Sequence, residues 1–157
     1  MIIKWVVIGK TSDSCIKELT EKYLKRIKKY VKTEYVELSD IKNAKNLRVE
    51  QRKDKEAELI MKQIKTGDYL ILLDEKGKSF TSVQWAKHLE KLLHYHKGNL
   101  IFVNGGAYGF SEALYKRADE TLSLSKMTFS HQIIRILFAE QLYRAFSIMH
   151  GHPYHNE

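Results

Sequence analysis

The sequence predicts an α/β fold, a mainly parallel sheet with helices on both faces. Short runs rich in β-branched and aromatic residues alternate with longer runs of 3.6-residue apolar period, from one end of the chain to the other. Serine and glycine stand where those runs change character. With 157 residues and a single proline, the chain is sized for one domain, residues 1–157, with a core of its own.

The elements follow in order. Ile2 to Ile8 is an apolar strand, and Ser14 to Tyr30 is a helix with Ile16, Leu19, Tyr23 and Ile27 on one face. Thr33 to Leu38 is the second strand, Leu47 to Ile64 the second helix and Tyr69 to Leu73 the third strand. Ser82 is placed as the cap of a helix from Val83 to Tyr95, and Gly67 and Gly98 as the residues closing the second and third helices. Leu100 to Val103 is a strand, Ser111 opens a short helix from Glu112 to Arg117, and Glu120 to Leu124 is the last strand. In a parallel sheet, ligands bind beyond the carboxyl ends of the strands, so the loops after Leu73, Val103 and Leu124 are the expected site.

The final helix, Gln132 to Met149, differs from the rest. Between Ile133 and Met149, 12 of 17 residues are apolar or tyrosine, spread round the whole circumference. A helix apolar on all sides is buried on all sides. The expectation is a two-fold homodimer with this helix in the interface.

The net charge of +8 raises the prospect of a polyanionic partner. The excess lies in residues 1–64, with 16 Lys and Arg against 10 Asp and Glu, and is densest from Lys22 to Lys32. That run reads equally as a solvated helix face or as a stripe facing nucleic acid. No apolar run approaches the roughly 18 residues of a membrane span, the N-terminus reads as a strand rather than a signal peptide, and Cys15 stands alone, so a cytoplasmic location is expected.

Several motifs fail on inspection. Gly9-Lys10-Thr11 ends like a nucleotide-binding P-loop, but Lys4 stands where its first glycine belongs. Gly105, Gly106 and Gly109 are spaced G-G-x-x-G, not as a dinucleotide fingerprint, and on spacing alone they mark only a turn. His94 and His96, or His150, His152 and His155, have neither thiolate partners nor an H-E-x-x-H helix, so no metal is expected. Gly-x-Ser-x-Gly is missing from the chain.

What remains is a set of ordered motifs: Leu73-Asp74-Glu75-Lys76-Gly77-Lys78, the glycine loop from Gly105 to Gly109, Leu122 to Thr128, His131-Gln132, Glu140-Gln141 with Tyr143-Arg144-Ala145, and Pro153-Tyr154-His155. Together they resemble the ribosomal RNA large subunit methyltransferase H family, small SPOUT-class enzymes that methylate N3 of a pseudouridine in bacterial 23S rRNA. Two positions depart from the pattern: Asn104, where an apolar residue usually ends the strand, and Ser130, where proline usually precedes the histidine.

The resemblance implies an α/β trefoil knot near the C-terminus, a homodimer, and a substrate consisting of the assembled ribosome. It implies an S-adenosyl-L-methionine site at Leu73, Gly105, Leu124, Ser125, Lys126, Met127, Thr128 and Phe129. Leu73, Leu124, Met127 and Phe129 suit the flat apolar slot that adenine requires. The weakly acidic imide nitrogen must lose a proton before or during in-line attack, so a base or cation is needed nearby. Tyr154 and His155, stiffened by Pro153, are the candidates for that work, from their own or the other subunit, with Arg144 contacting phosphate or base. Against this stands a tail that only docks. Tyr108 is a candidate stacking residue or an ordinary loop tyrosine, and His131 a cap or core contact. A SPOUT enzyme acting on transfer RNA and a non-enzymatic basic RNA-binding protein remain the alternative functions.

Overall fold

A computed structural model describes residues 1–156 and orders five parallel strands as β2-β1-β4-β3-β5. The strands are β1 (Ile3–Ile8), β2 (Thr33–Leu38), β3 (Tyr69–Ser79), β4 (Leu100–Asn104) and β5 (Glu120–Ser123). The helices are α1 (Ser14–Ile27), α2 (Val49–Met61), α3 (Ser82–Tyr95), α4 (Glu112–Arg117) and α5 (Ile133–Met149), with a 3-10 turn at Ala44–Asn46 before α2. Every strand pair is parallel, so the sheet is wholly rather than mainly so.

Strand periodicity divides the core in two. Ile3, Trp5, Val7, Leu100 and Phe102 face α1, α3 and α5, while Val6, Ile8, Ile101 and Val103 face α2 and α4. The first layer is aromatic: Phe138 of α5 lies 5.0 Å from Trp5 and 4.9 Å from Phe102, ring centre to ring centre. Cutting such a buried ring to alanine costs about 3–5 kcal/mol.

Two sequence expectations about capping are corrected. Thr81, not Ser82, caps α3: its hydroxyl accepts from Gln84 N–H at 3.2 Å, and the Gln84 amide accepts from Thr81 N–H at 2.9 Å. Gly67 and Gly98 do not close helices. They meet each other ahead of β3 and β4, where a Cβ on Gly98 would lie 1.9 Å from the Gly67 carbonyl oxygen. Ser111 caps α4 as expected, accepting from Leu114 N–H at 3.3 Å.

β3 also continues beyond its expected end. Leu73 and Lys78 both register on Leu122, so Asp74 to Gly77 bulge out of the ladder before pairing resumes. The polar run there reads as a loop in sequence because the bulge interrupts the strand alternation.

α5 lies between α1 and α3, both packed against its flanks. Much of its all-round apolar character is therefore satisfied inside the chain, leaving Ile133 exposed and Leu137 partly so on its outer side. The connection from β5 to α5 runs from the sheet edge past the ends of β3 and β4 to β1. At that end Gln132 donates to the Lys10 carbonyl and accepts from Ser12 N–H. Arg135, almost fully buried, donates to the carbonyls of Ile8 and His131 and to Thr11 Oγ1.

Candidate functional site: a three-loop cleft

The carboxyl ends of β3, β4 and β5 open into a cleft of about 640 Å3. Its walls are the bulge after Leu73, the glycine loop from Asn104 to Phe110, and the segment from Leu122 to His131. Of the eight residues expected to hold a cofactor, Leu73, Gly105, Leu124, Ser125, Met127, Thr128 and Phe129 line it. Lys126 does not: it is exposed and lies outside the wall.

Local hydrogen bonds shape the loops. Ser123 Oγ donates to the Ser125 carbonyl at 2.8 Å, and Ser125 Oγ accepts from Met127 N–H at 3.0 Å, folding the third loop into a tight turn. Thr128 donates to Glu75 across the mouth at 2.5 Å, and Tyr115 of α4 donates to Asp74. Burial and that carboxylate both push the Tyr115 phenol upward, so it stays a neutral donor. Met127 and Phe129 are exposed at the mouth, an apolar edge with nothing packed over it among the described residues.

The glycine loop is braced from behind by α2. Glu56, 3% exposed, lies against the loop, where a Cβ on residue 106 would meet its carboxylate at 2.7 Å. Burial raises the Glu56 carboxyl above the usual carboxylate range, against the opposing pull of Arg52, whose Nε lies 3.4 Å away. The Arg52 guanidinium lies over the ring of Tyr108, 5.1 Å from its centre. Sequence reasoning missed Glu56. The available signal was an acid next to Ala57 in the apolar stripe of α2.

The two positions that depart from the family pattern have structural partners. Asn104, buried at the end of β4, accepts the Trp5 indole N–H at 2.6 Å, which an apolar residue cannot do. Ser130 accepts at its hydroxyl from the N–H of Ile133, the first residue of α5, at 3.2 Å. His131 is exposed and lines the cleft, which corrects its expectation as a core contact.

Arg144, Tyr154 and His155 lie elsewhere. They gather on the outer side of α5 against α1. Arg144 pairs with Glu140, Tyr154 donates to Glu140 at 3.1 Å and meets Tyr23 Oη at 3.1 Å, and Arg144 Nη1 reaches His155 Nδ1 at 3.2 Å. Ten residues of helix, about 15 Å, separate Arg144 from Ile134 at the cleft wall. A guanidinium only donates, so His155 Nδ1 is the acceptor in that contact. Burial, with Tyr23 and Glu140 beside it, pushes the Tyr154 phenol up. Among the described residues no group of three or more His, Cys, Asp or Glu is arranged to hold a metal ion, and no helix is long and apolar enough to cross a membrane.

Comparison with known proteins follows from this geometry. A family model described as "Predicted SPOUT methyltransferase" matches residues 1–155. A protein named ribosomal RNA large subunit methyltransferase H from Parabacteroides distasonis is 54% identical over the full length of both chains. Its namesake from Christiangramia forsetii is 48% identical over 99% of each. Among solved structures, a probable methylase family protein from Haemophilus influenzae Rd KW20 superposes with a TM-score of 0.55 at 16% identity, covering 99% of this chain and 70% of that one. That likeness concerns the fold.

Proposed function

The chain belongs to the SPOUT methyltransferase family, and from that membership we propose that it is a large-subunit rRNA methyltransferase using S-adenosyl-L-methionine to methylate N3 of a pseudouridine in 23S rRNA. In this reading it works in the cytoplasm as a homodimer, carries the family's C-terminal trefoil knot and acts on the assembled ribosome. The observation that carries the reading is the convergence on one cleft, at three adjacent strand ends, of seven of the eight residues that the resemblance implies.

The cleft fits the cofactor. Leu73, Leu122, Leu124, Phe129 and Ile134 supply an apolar slot of the kind a purine ring needs. A Cβ on Gly105 would meet the Phe110 ring at 2.9 Å, so this wall holds its shape only with glycine. Lys126, outside the wall, takes part through its place in the turn rather than its side chain. The bound cofactor supplies an activated methyl group on a sulfonium.

This chain's part is to hold the acceptor nitrogen in line and to stabilise the anion left when the imide proton departs. As arranged, the tail gathers Tyr154 and His155 around one fixed cation, the Arg144 guanidinium. A fixed cation suits negative charge developing on the pyrimidine better than proton abstraction. Their distance from the cleft of their own chain supports a tail that serves the cleft of a partner subunit.

Radiolabelled methyl transfer to ribosomes from cells lacking the enzyme, with and without prior pseudouridine formation, tests the proposal. Transfer should require the pseudouridine. Equal transfer without it, or transfer only to transfer RNA, overturns the reading. Deleting residues 154–157 should abolish transfer while sparing cofactor binding.

A further inference from the structure

The cleft shares one wall with a second concavity that the methyl-transfer reading does not use. A groove of about 710 Å3 runs between the turn from Ile41 to Leu47 and the start of α2, and Tyr108 of the glycine loop lines both spaces. Its volume is within the roughly 300–1,000 Å3 of small-ligand sites. We propose that this groove seats a nucleotide flanking the target in single-stranded RNA, its base stacked on Tyr108 and its phosphate held by Lys45. The inference rests on the RNA-methylating reading and adds where the substrate strand lies.

Charge complementarity selects the occupant. Residues 41–53 hold Lys42, Lys45, Arg48, Arg52 and Lys53 against one acid, Glu50, which lies 3.7 Å from Lys53. Lys42, Lys45 and Arg48 are exposed and have no carboxylate within 4.0 Å among the described residues. Such cations gain by meeting phosphate and releasing its counterions.

Tyr108 supplies the platform. It is 52% exposed, yet Arg52 lies over it and Glu56 holds Arg52 from the buried side. A ring held in place and left open stacks a base with little ordering cost. Asn43 and Asn46 add amides along the groove that can both donate to and accept from a base edge. Asn43 also holds the turn open at φ 56°, the one non-glycine residue in the left-handed region among the described residues.

Because Tyr108 belongs to both spaces while Lys45 lines the groove alone, variants at these two positions separate substrate seating from cofactor binding. The full-length Lys45→Glu, Tyr108→Ala and Tyr108→Phe proteins are assayed on ribosomes from cells lacking the enzyme. KM for the ribosomes should rise about tenfold in Lys45→Glu and about fivefold in Tyr108→Ala. It should stay near the wild-type value in Tyr108→Phe, and the calorimetric cofactor Kd of Lys45→Glu should shift less than about twofold. Lys45→Ala should lower the slope of log Kobs against log salt by about one. Wild-type methylation with unchanged KM in Lys45→Glu and Tyr108→Ala overturns the groove alone, as does a cofactor Kd that rises in step with KM in Lys45→Glu. Failure of the wild type to methylate the ribosomes overturns the functional reading, and the groove with it.

Discussion

Glu56 and Gly106 occupy complementary space: the buried carboxylate fills the volume that a β-carbon on residue 106 would need. The acid on α2 and the glycine on the cofactor-side loop thus specify each other. Gly106→Ala should destabilise the protein by about 1–3 kcal/mol through overpacking and weaken cofactor binding by displacing the loop. Shortening the acid in the Glu56→Ala background should recover part of that loss. Thermal unfolding of the two single variants and the double variant gives the coupling, and strictly additive effects would show that the contact is not the cause.

The same carboxylate predicts a pH dependence. Its folded pKa is raised, chiefly by burial, so the folded state binds the proton more tightly than the unfolded chain. The stability this contributes is full below the unfolded pKa of about 4.3 and is lost as pH rises through the folded value. Glu56→Gln has no such titration. Measured by denaturant unfolding, the stability of the wild type relative to this variant should fall between pH 4 and neutrality. A difference independent of pH would sink the assignment.

Asn104 supports a third prediction. Its side chain accepts the buried Trp5 indole N–H at the point where β4 leaves the core and the glycine loop begins. Asn104→Leu strands that donor and should cost about 1–3 kcal/mol, a fall in Tm of several degrees for a domain of this size. Adding Trp5→Phe removes the stranded donor but also shrinks a packed ring. The double variant should therefore lose less than the sum of the two singles.

These three residues mark the limit of what the sequence made legible. Strand periodicity exposed both faces of the sheet, because each strand residue meets its layer through local alternation. Partners far apart in the chain left no such trace. Asn104 reads as a strand-end oddity until Trp5, 99 residues earlier, lies against it. Arg135 is a cation in an apolar helix, and nothing beside it in the chain marks the Ile8 carbonyl, 127 residues away, to which it donates. Most of the cleft was legible because its residues cluster in three short loops at adjacent strand ends. Its brace on α2 was not, since one acid in a helix carries no local sign of what it faces.

A fourth prediction concerns Gly105, where any side chain would press on the Phe110 ring from 2.9 Å. Gly105→Val should abolish cofactor binding by calorimetry while the circular dichroism spectrum and oligomeric mass stay those of the wild type. Retained binding would remove Gly105 from the cofactor site.

That variant makes the placement of the tail testable. Arg144, Tyr154 and His155 are tied to Glu140 and Tyr23 on the outer side of α5 and α1, about 15 Å along the helix from their own cleft. If the tail acts on the partner's cleft, Gly105→Val keeps a sound tail beside a dead cleft, and a chain cut before Tyr154 keeps a sound cleft without a tail. Each should be inactive alone. Co-expressed, they should form mixed dimers in which one of the two sites is complete, restoring up to half the wild-type activity per mixed dimer. If the tail serves its own cleft, neither subunit of the mixed dimer holds both parts and activity stays at background. Mass spectrometry of the purified dimers confirms the mixing, so background activity in verified mixed dimers would rule out a tail working across the interface.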